Sequence, residues 1–176
     1  ALLTCNYALG IQAVLSGLIW YPLRHTSHVV AKMDGQFKNW AAQNTNINGQ
    51  QVCYAVSSPV ASDPKNLNRA ESRIFVSFRS NDKIQNEISI TSGYNYKTSS
   101  KVNVAIDKKE FKFETEDNFA WLTKYEEEVA MIELMRKSSQ AKISATSAKG
   151  SKTIDTFSLS GFSEAYETAK KKCNFI

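Results

Sequence analysis

The stretch Val102 to Phe113, VNVAIDKKEFKF, reads as two short strands joined by a charged turn. Val102, Val104 and Ile106 alternate with Asn103 and Ala105, and after Asp107 to Glu110 the alternation resumes with Phe111 and Phe113. That period of two is the mark of a strand with one face in a core. The same pattern recurs on both sides. Upstream, Arg73 to Arg79 sets Ile74, Val76 and Phe78 against Arg73, Ser77 and Arg79, with Phe75 the exception, and Ile88 and Ile90 alternate with Glu87, Ser89 and Thr91. Phe37 to Thr45 and Gln51 to Ser57 flank Asn48-Gly49, a pair that supplies the positive φ of a tight hairpin. Downstream, Ile143 and Ala145 lead to Lys149-Gly150, and the chain returns through Ile154, Phe157 and Leu159. About seven strands at this spacing indicate a mainly β, antiparallel sandwich.

Two helices interrupt the strands. The first is expected over about 124–137, with Tyr125, Val129 and Ile132 at helical spacing, widened by Met131, Leu134 and Met135. Glu126, Glu127 and Glu128 open it and Arg136 and Lys137 close it, each sign suited to the helix dipole. The second is expected over about 162–173, where Phe162, Ala165, Tyr166, Ala169 and Cys173 share one stripe. The longest loop candidate is Pro59 to Asn68.

The 176 residues are 42% hydrophobic and 22% charged with a formal net charge of +5, the mix of one globular domain. The charge is unevenly spread. Residues 1–31 hold no carboxylate and one basic residue, Arg24, but 19 apolar residues. Ala13 to Leu23 has the length of a signal-peptide apolar region, and Val29-Val30-Ala31 fits a relaxed small-x-small cleavage pattern. Residues 1–31 are therefore expected to be a signal peptide or apolar leader, incomplete at its start, with 32–176 as a single exported domain. The competing reading is an uncleaved membrane anchor, which Asn6, Gly10, Gln12, Gly17 and Pro22 make weakly hydrophobic.

Cleavage after Ala31 would leave two of the three cysteines, Cys53 and Cys173, an even count compatible with one disulfide in an oxidising compartment. Two unrelated buried thiols are the alternative. The stripe phase puts Cys173 on the core-facing side of its helix, as such a bridge requires. The same cleavage would remove both histidines, His25 and His28, and with them His-based nucleophile systems and His metal sites. Carboxylate chemistry stays open at Glu110, Glu114, Glu116, Asp117 and Glu126 to Glu128, although Lys108, Lys109 and Lys112 suggest a solvated ion-pair surface around the first four. The lysines at 97, 101, 108, 109 and 112, near Tyr94 and Tyr96, are read as a solvated sheet edge, not a nucleic-acid platform. There is no GxGxxG, no phosphate-loop motif, no CxxC pair and no calcium-loop pattern. No catalytic residue, cofactor or metal site is expected.

Several blocks taken in order carry a resemblance. Gly35-x-Phe37-x-x-Trp40, Val52-Cys53-Tyr54-Ala55, Asn66-Leu67-Asn68-Arg69, Asn86-Glu87-Ile88-Ser89-Ile90, Ser158-Leu159-Ser160-Gly161-Phe162-Ser163 and Cys173 together resemble the invasion-associated locus B family of exported alphaproteobacterial proteins. The resemblance spans about residues 35–173. It implies an immunoglobulin-like β-sandwich with short helices, periplasmic or surface-associated, in a family named for a locus linked to entry into host erythrocytes. It brings no catalytic site or cofactor to transfer. Family members carry a further cysteine close after the tryptophan, where this chain has Asn44 and Thr45, so the bridge it implies is Cys53 to Cys173.

The resulting expectation is a non-enzymatic protein acting by binding or envelope organisation. Its partner would be a protein or envelope component, with no nucleic acid, and with membrane contact only through an uncleaved leader. An envelope carbohydrate-active hydrolase using paired carboxylates is the alternative.

Overall fold

The computed structural model describes residues 30–175. The leader expected over 1–31 therefore lies, except for Val30 and Ala31, outside the described residues. Eleven strands and two helices follow in the order β1 (Lys32–Phe37), β2 (Trp40–Ile47), β3 (Gln50–Ser57), β4 (Ala61–Asp63), β5 (Arg73–Arg79), β6 (Ile84–Thr91), β7 (Val102–Ile106), β8 (Lys109–Glu116), β9 (Phe119–Trp121), α1 (Tyr125–Lys137), β10 (Gln140–Thr146), β11 (Lys152–Ser158) and α2 (Phe162–Lys172).

All pairings are antiparallel, in one sheet of order β1-β2-β3-β5-β6-β9-β8-β7-β10-β11-β4. β8 links its two halves. Lys109 to Phe113 pair with β7, whereas Glu114 to Glu116 pair with β9. The sheet turns back on itself there, and both halves feed one core: Trp40, Ile74, Val76, Phe78, Ile88 and Ile90 meet Val102, Val104, Phe111, Phe113, Ile143 and Phe157. The architecture is mainly β and sandwich-like, as expected, with both helices within a residue of their expected ends.

The strand count exceeds the sequence reading for identifiable reasons. Phe37 to Thr45 is not one strand but a hairpin, because Lys38 adopts φ 52° without any glycine to announce it. β4 lies inside the stretch read as loop, paired to β11. β9 is three residues long, too short for periodicity to reveal. The Asn48-Gly49 turn is present, with φ 51° and 80°. Phe75, the exception to alternation, belongs to a second apolar cluster on the other face of β2, β3 and β5, with Ala41, Val52, Tyr54 and Val56.

Helix α2 lies on β1, β2, β3 and β5. Its stripe Phe162, Ala165, Tyr166, Ala169 is buried, and Cys173 is bonded to Cys53 of β3 with the two Cα atoms 5.8 Å apart. At the other end of α2, Gly161 sits at φ 91°, and a Cβ there would stand 1.8 Å from the carbonyl oxygen of Phe37, so only glycine fits. Trp40 donates its indole N–H to the Ser158 carbonyl at 2.9 Å and meets the Phe162 ring edge-on. The tryptophan thus joins the first hairpin to the segment entering α2.

Candidate cleft between β6, β9 and α1

Helix α1 buries Met131, Ile132 and Met135 as expected but departs from its expected face at the N-terminal end. The buried residues are Glu128, Met131, Ile132 and Met135, spaced 3, 1 and 3, while Tyr125 and Val129 are exposed. The apolar stripe therefore begins with a carboxylate. The reason lies in the sheet: β9 pairs only with Ser89 and Ile90 of β6, so the first half of β6 has no strand on that side. The N-terminal half of α1 takes that place, and Glu128 Oε1 accepts the Ile88 N–H at 3.2 Å. A side chain thus supplies the acceptor that a longer β9 would have provided.

Beside this contact opens a cleft of about 720 Å³, lined among others by Lys83, Gln85, Glu87, Ser89, Phe119, Trp121, Tyr125 and Glu128. Glu87 and Ser89 alternate with the core residues Ile88 and Ile90, so they point away from the core, and Trp121 lies directly opposite Ser89. Gln85 donates to the Tyr125 hydroxyl at 3.3 Å across the rim. Glu87 accepts from Arg79 Nη2 at 2.6 Å.

Burial pushes the Glu128 carboxyl up to about 7; the Ile88 amide opposes this and the charge of Glu87 adds to it. Burial also raises Glu87, with Arg79 opposing. The cleft therefore holds two carboxyl groups of different standing, one ion-paired and one without a cationic partner among the described residues. Three aromatic side chains share its wall.

The carboxylates singled out from the sequence separate in space. Glu114 forms an exposed ion pair with Lys101, and Glu110, Glu116 and Asp117 are also on the surface. Glu127 lies 3.8 Å from Lys124, and of the run 126–128 only Glu128 turns inward. Glu87, Trp121 and Phe119 were not singled out. Their signal was weak: a glutamate in an alternating strand, and aromatics in a three-residue strand. Of the two tyrosines beside the lysines, Tyr96 is buried and Tyr94 is half-buried with its hydroxyl bonded to Thr153. Among the described residues no group of three or more His, Cys, Asp or Glu is placed to hold a metal ion. No described helix is long and apolar enough to cross a membrane.

Arg69, in the Asn66 to Arg69 block, has a structural task. It forks onto Asp155 at 2.5 and 2.8 Å and onto the Ser92 carbonyl at 2.7 Å, while Ser62 donates to the same carboxylate at 2.7 Å. Burial would raise Asp155, but the bonds from Arg69 and Ser62 hold it below the usual carboxylate range. Both terminal nitrogens of the guanidinium are thus bonded within the frame, beside a small cavity of about 290 Å³ that extends toward Tyr94 and Lys149.

No curated protein and no solved structure matches the chain. The family model described as invasion associated locus B (IalB) protein does, over residues 40–170, a span that runs from the first residue of β2 into α2 and takes in the whole cleft. That span covers 131 of the 176 residues, and the chain therefore belongs to the invasion-associated locus B family.

Proposed function

We propose that this is an exported envelope protein, periplasmic or at the cell surface, that acts by binding, and that the cleft between β6, β9 and α1 holds its partner. One observation carries the reading: a concave site in which three aromatic side chains converge with a desolvated carboxyl group, the composition of a recognition pocket. The apolar leader and the single Cys53 to Cys173 bridge support export into an oxidising compartment. The family's name ties it to invasion, and a contribution to host-cell interaction belongs to the same reading.

The family is not a known enzyme family. A carbohydrate-active hydrolase is the second reading, favoured by the presence of two carboxyl groups in one cleft, one of them raised as a general acid requires. Against it, Glu87 is held in an ion pair with Arg79 and does not stand free as the second carboxylate, nucleophile or base, that such chemistry needs.

Two measurements test the leading reading. Mass spectrometry of the protein recovered from the cell envelope should give an N-terminus at Lys32; recovery from the cytoplasm with residues 1–31 intact contradicts export. Immobilised protein should retain an envelope component that the Trp121→Ala variant does not. Equal retention by both removes the cleft from the account, and release of reducing sugar from peptidoglycan, abolished by Glu128→Gln, moves it to the hydrolase.

A further inference from the structure

Glu128 is 8% exposed, lines a cleft open to solvent, and faces no basic partner among the described residues. A carboxylate in that position is costly when ionised and unpaired. The charged groups around it do not relieve it. On β5, Arg79 is bonded to Glu87 and also lies 3.9 Å from Asp82. Lys83, in the turn before β6, also lines the cleft, without an ion pair among the described residues, and Lys124 at the start of α1 lies beside Glu127. Glu87, the nearest charge on β6, is of the same sign.

The same cleft is lined by three aromatic side chains, Tyr125 one turn before Glu128 on α1 and Phe119 and Trp121 on β9. Ring faces attract cations, and a carboxylate completes an ammonium's hydrogen bonding where water is thin. Neutral guests would use the rings and leave the charge unanswered. The volume exceeds what a bare ammonium ion needs, leaving room for an apolar stem. We propose that the cleft binds an alkylammonium group, the ammonium on Glu128 and Glu87 and its methylene stem against Trp121 and Tyr125. This rests on the binding reading above and supplies its ligand class. A lysine side chain of a partner and a free polyamine present the same chemistry.

The test uses the purified protein and three probes: acetyl-Gly-Lys-Gly amide, spermidine, and maltotriose as a neutral guest. Affinity is read by calorimetry and by tryptophan fluorescence at pH 6 and pH 8. Binding that requires the ionised form of a carboxyl titrating near 7 should tighten roughly tenfold over that interval, because the competent fraction rises from about a tenth to about nine-tenths. Glu128→Gln should weaken binding at least tenfold and remove the pH dependence. Trp121→Ala should weaken binding and keep the pH dependence, a pattern that loss of fold does not give. Saturation by the lysine peptide alone points to a protein partner, and by spermidine alone to a free polyamine. Binding of maltotriose in preference to both amines, binding indifferent to Glu128→Gln, or no binding of either amine overturns the proposal. If the amines fail while Trp121-dependent retention of an envelope component persists, the ligand class is wrong and the binding reading stands; if both fail, both fall.

Discussion

Glu128 of α1 accepts the backbone N–H of Ile88 in β6 at 3.2 Å, so one carboxylate both ties the helix to an open stretch of sheet edge and lines the cleft beside it. A hydrogen bond that completes the sheet is thereby placed where a ligand would feel its charge.

The pH dependence of stability follows from this contact. The Glu128 carboxyl titrates near 7 in the folded protein, above its ordinary value of 4.5. Between those values the native state holds a proton that the unfolded chain has released, so stability falls as pH rises from about 4.5 to about 7. The full effect is bounded by about 3.5 kcal/mol, at roughly 1.4 kcal/mol per pH unit. Glu128→Gln keeps an acceptor for Ile88 and removes the titration. Urea midpoints across pH 5 to 8 should show the variant gaining on the parent as pH rises.

The Cys53 to Cys173 bridge closes a loop of 120 residues between β3 and the end of α2. Reduction, or Cys53→Ala with Cys173→Ala, should cost about 2–5 kcal/mol. Guanidinium melts with and without reductant measure it, and the loss should be accompanied by exposure of the Phe78 and Tyr166 packing beneath α2.

Asp155 is fully buried beneath Arg69. Asp155→Ala strands a buried guanidinium and should destabilise by about 3–5 kcal/mol. Replacing both residues together, by Arg69→Met and Asp155→Leu, should cost less than the single change. Equilibrium urea unfolding of the single and double variants checks that ordering.

Gly161→Ala forces a Cβ to within 1.8 Å of the Phe37 carbonyl at φ 91°. A loss of about 2 kcal/mol or more is expected, since both the backbone conformation and the contact oppose it. The melting temperature of the variant is the readout.

Much of the frame was legible because period-two alternation with turn pairs survives in the sequence, and the stripe ending at Cys173 marks α2 and, with the even cysteine count, makes its bridge to Cys53 an expectation. What escaped had local causes. Lys38 turns the chain without glycine, and β9 is too short to alternate. The α1 stripe holds at Met131, Ile132 and Met135 but was misplaced at its N-terminal end, where Glu128 takes the buried slot in place of Tyr125 and Val129, because apolar counting passes over a carboxylate. That misplacement also hid the cleft, which exists only once the short β9, the inward Glu128 and the outward face of β6 are brought together.

The most direct test of the central claim is site-specific photocrosslinking in the intact envelope. A photoreactive residue in place of Tyr125, at the rim of the cleft, should yield a discrete adduct that Trp121→Ala abolishes, whereas the same residue in place of exposed Lys152, on β11 four strands from β9, should yield none. Equal adducts at both positions, or an adduct at 125 indifferent to Trp121→Ala, would contradict a binding role for the cleft.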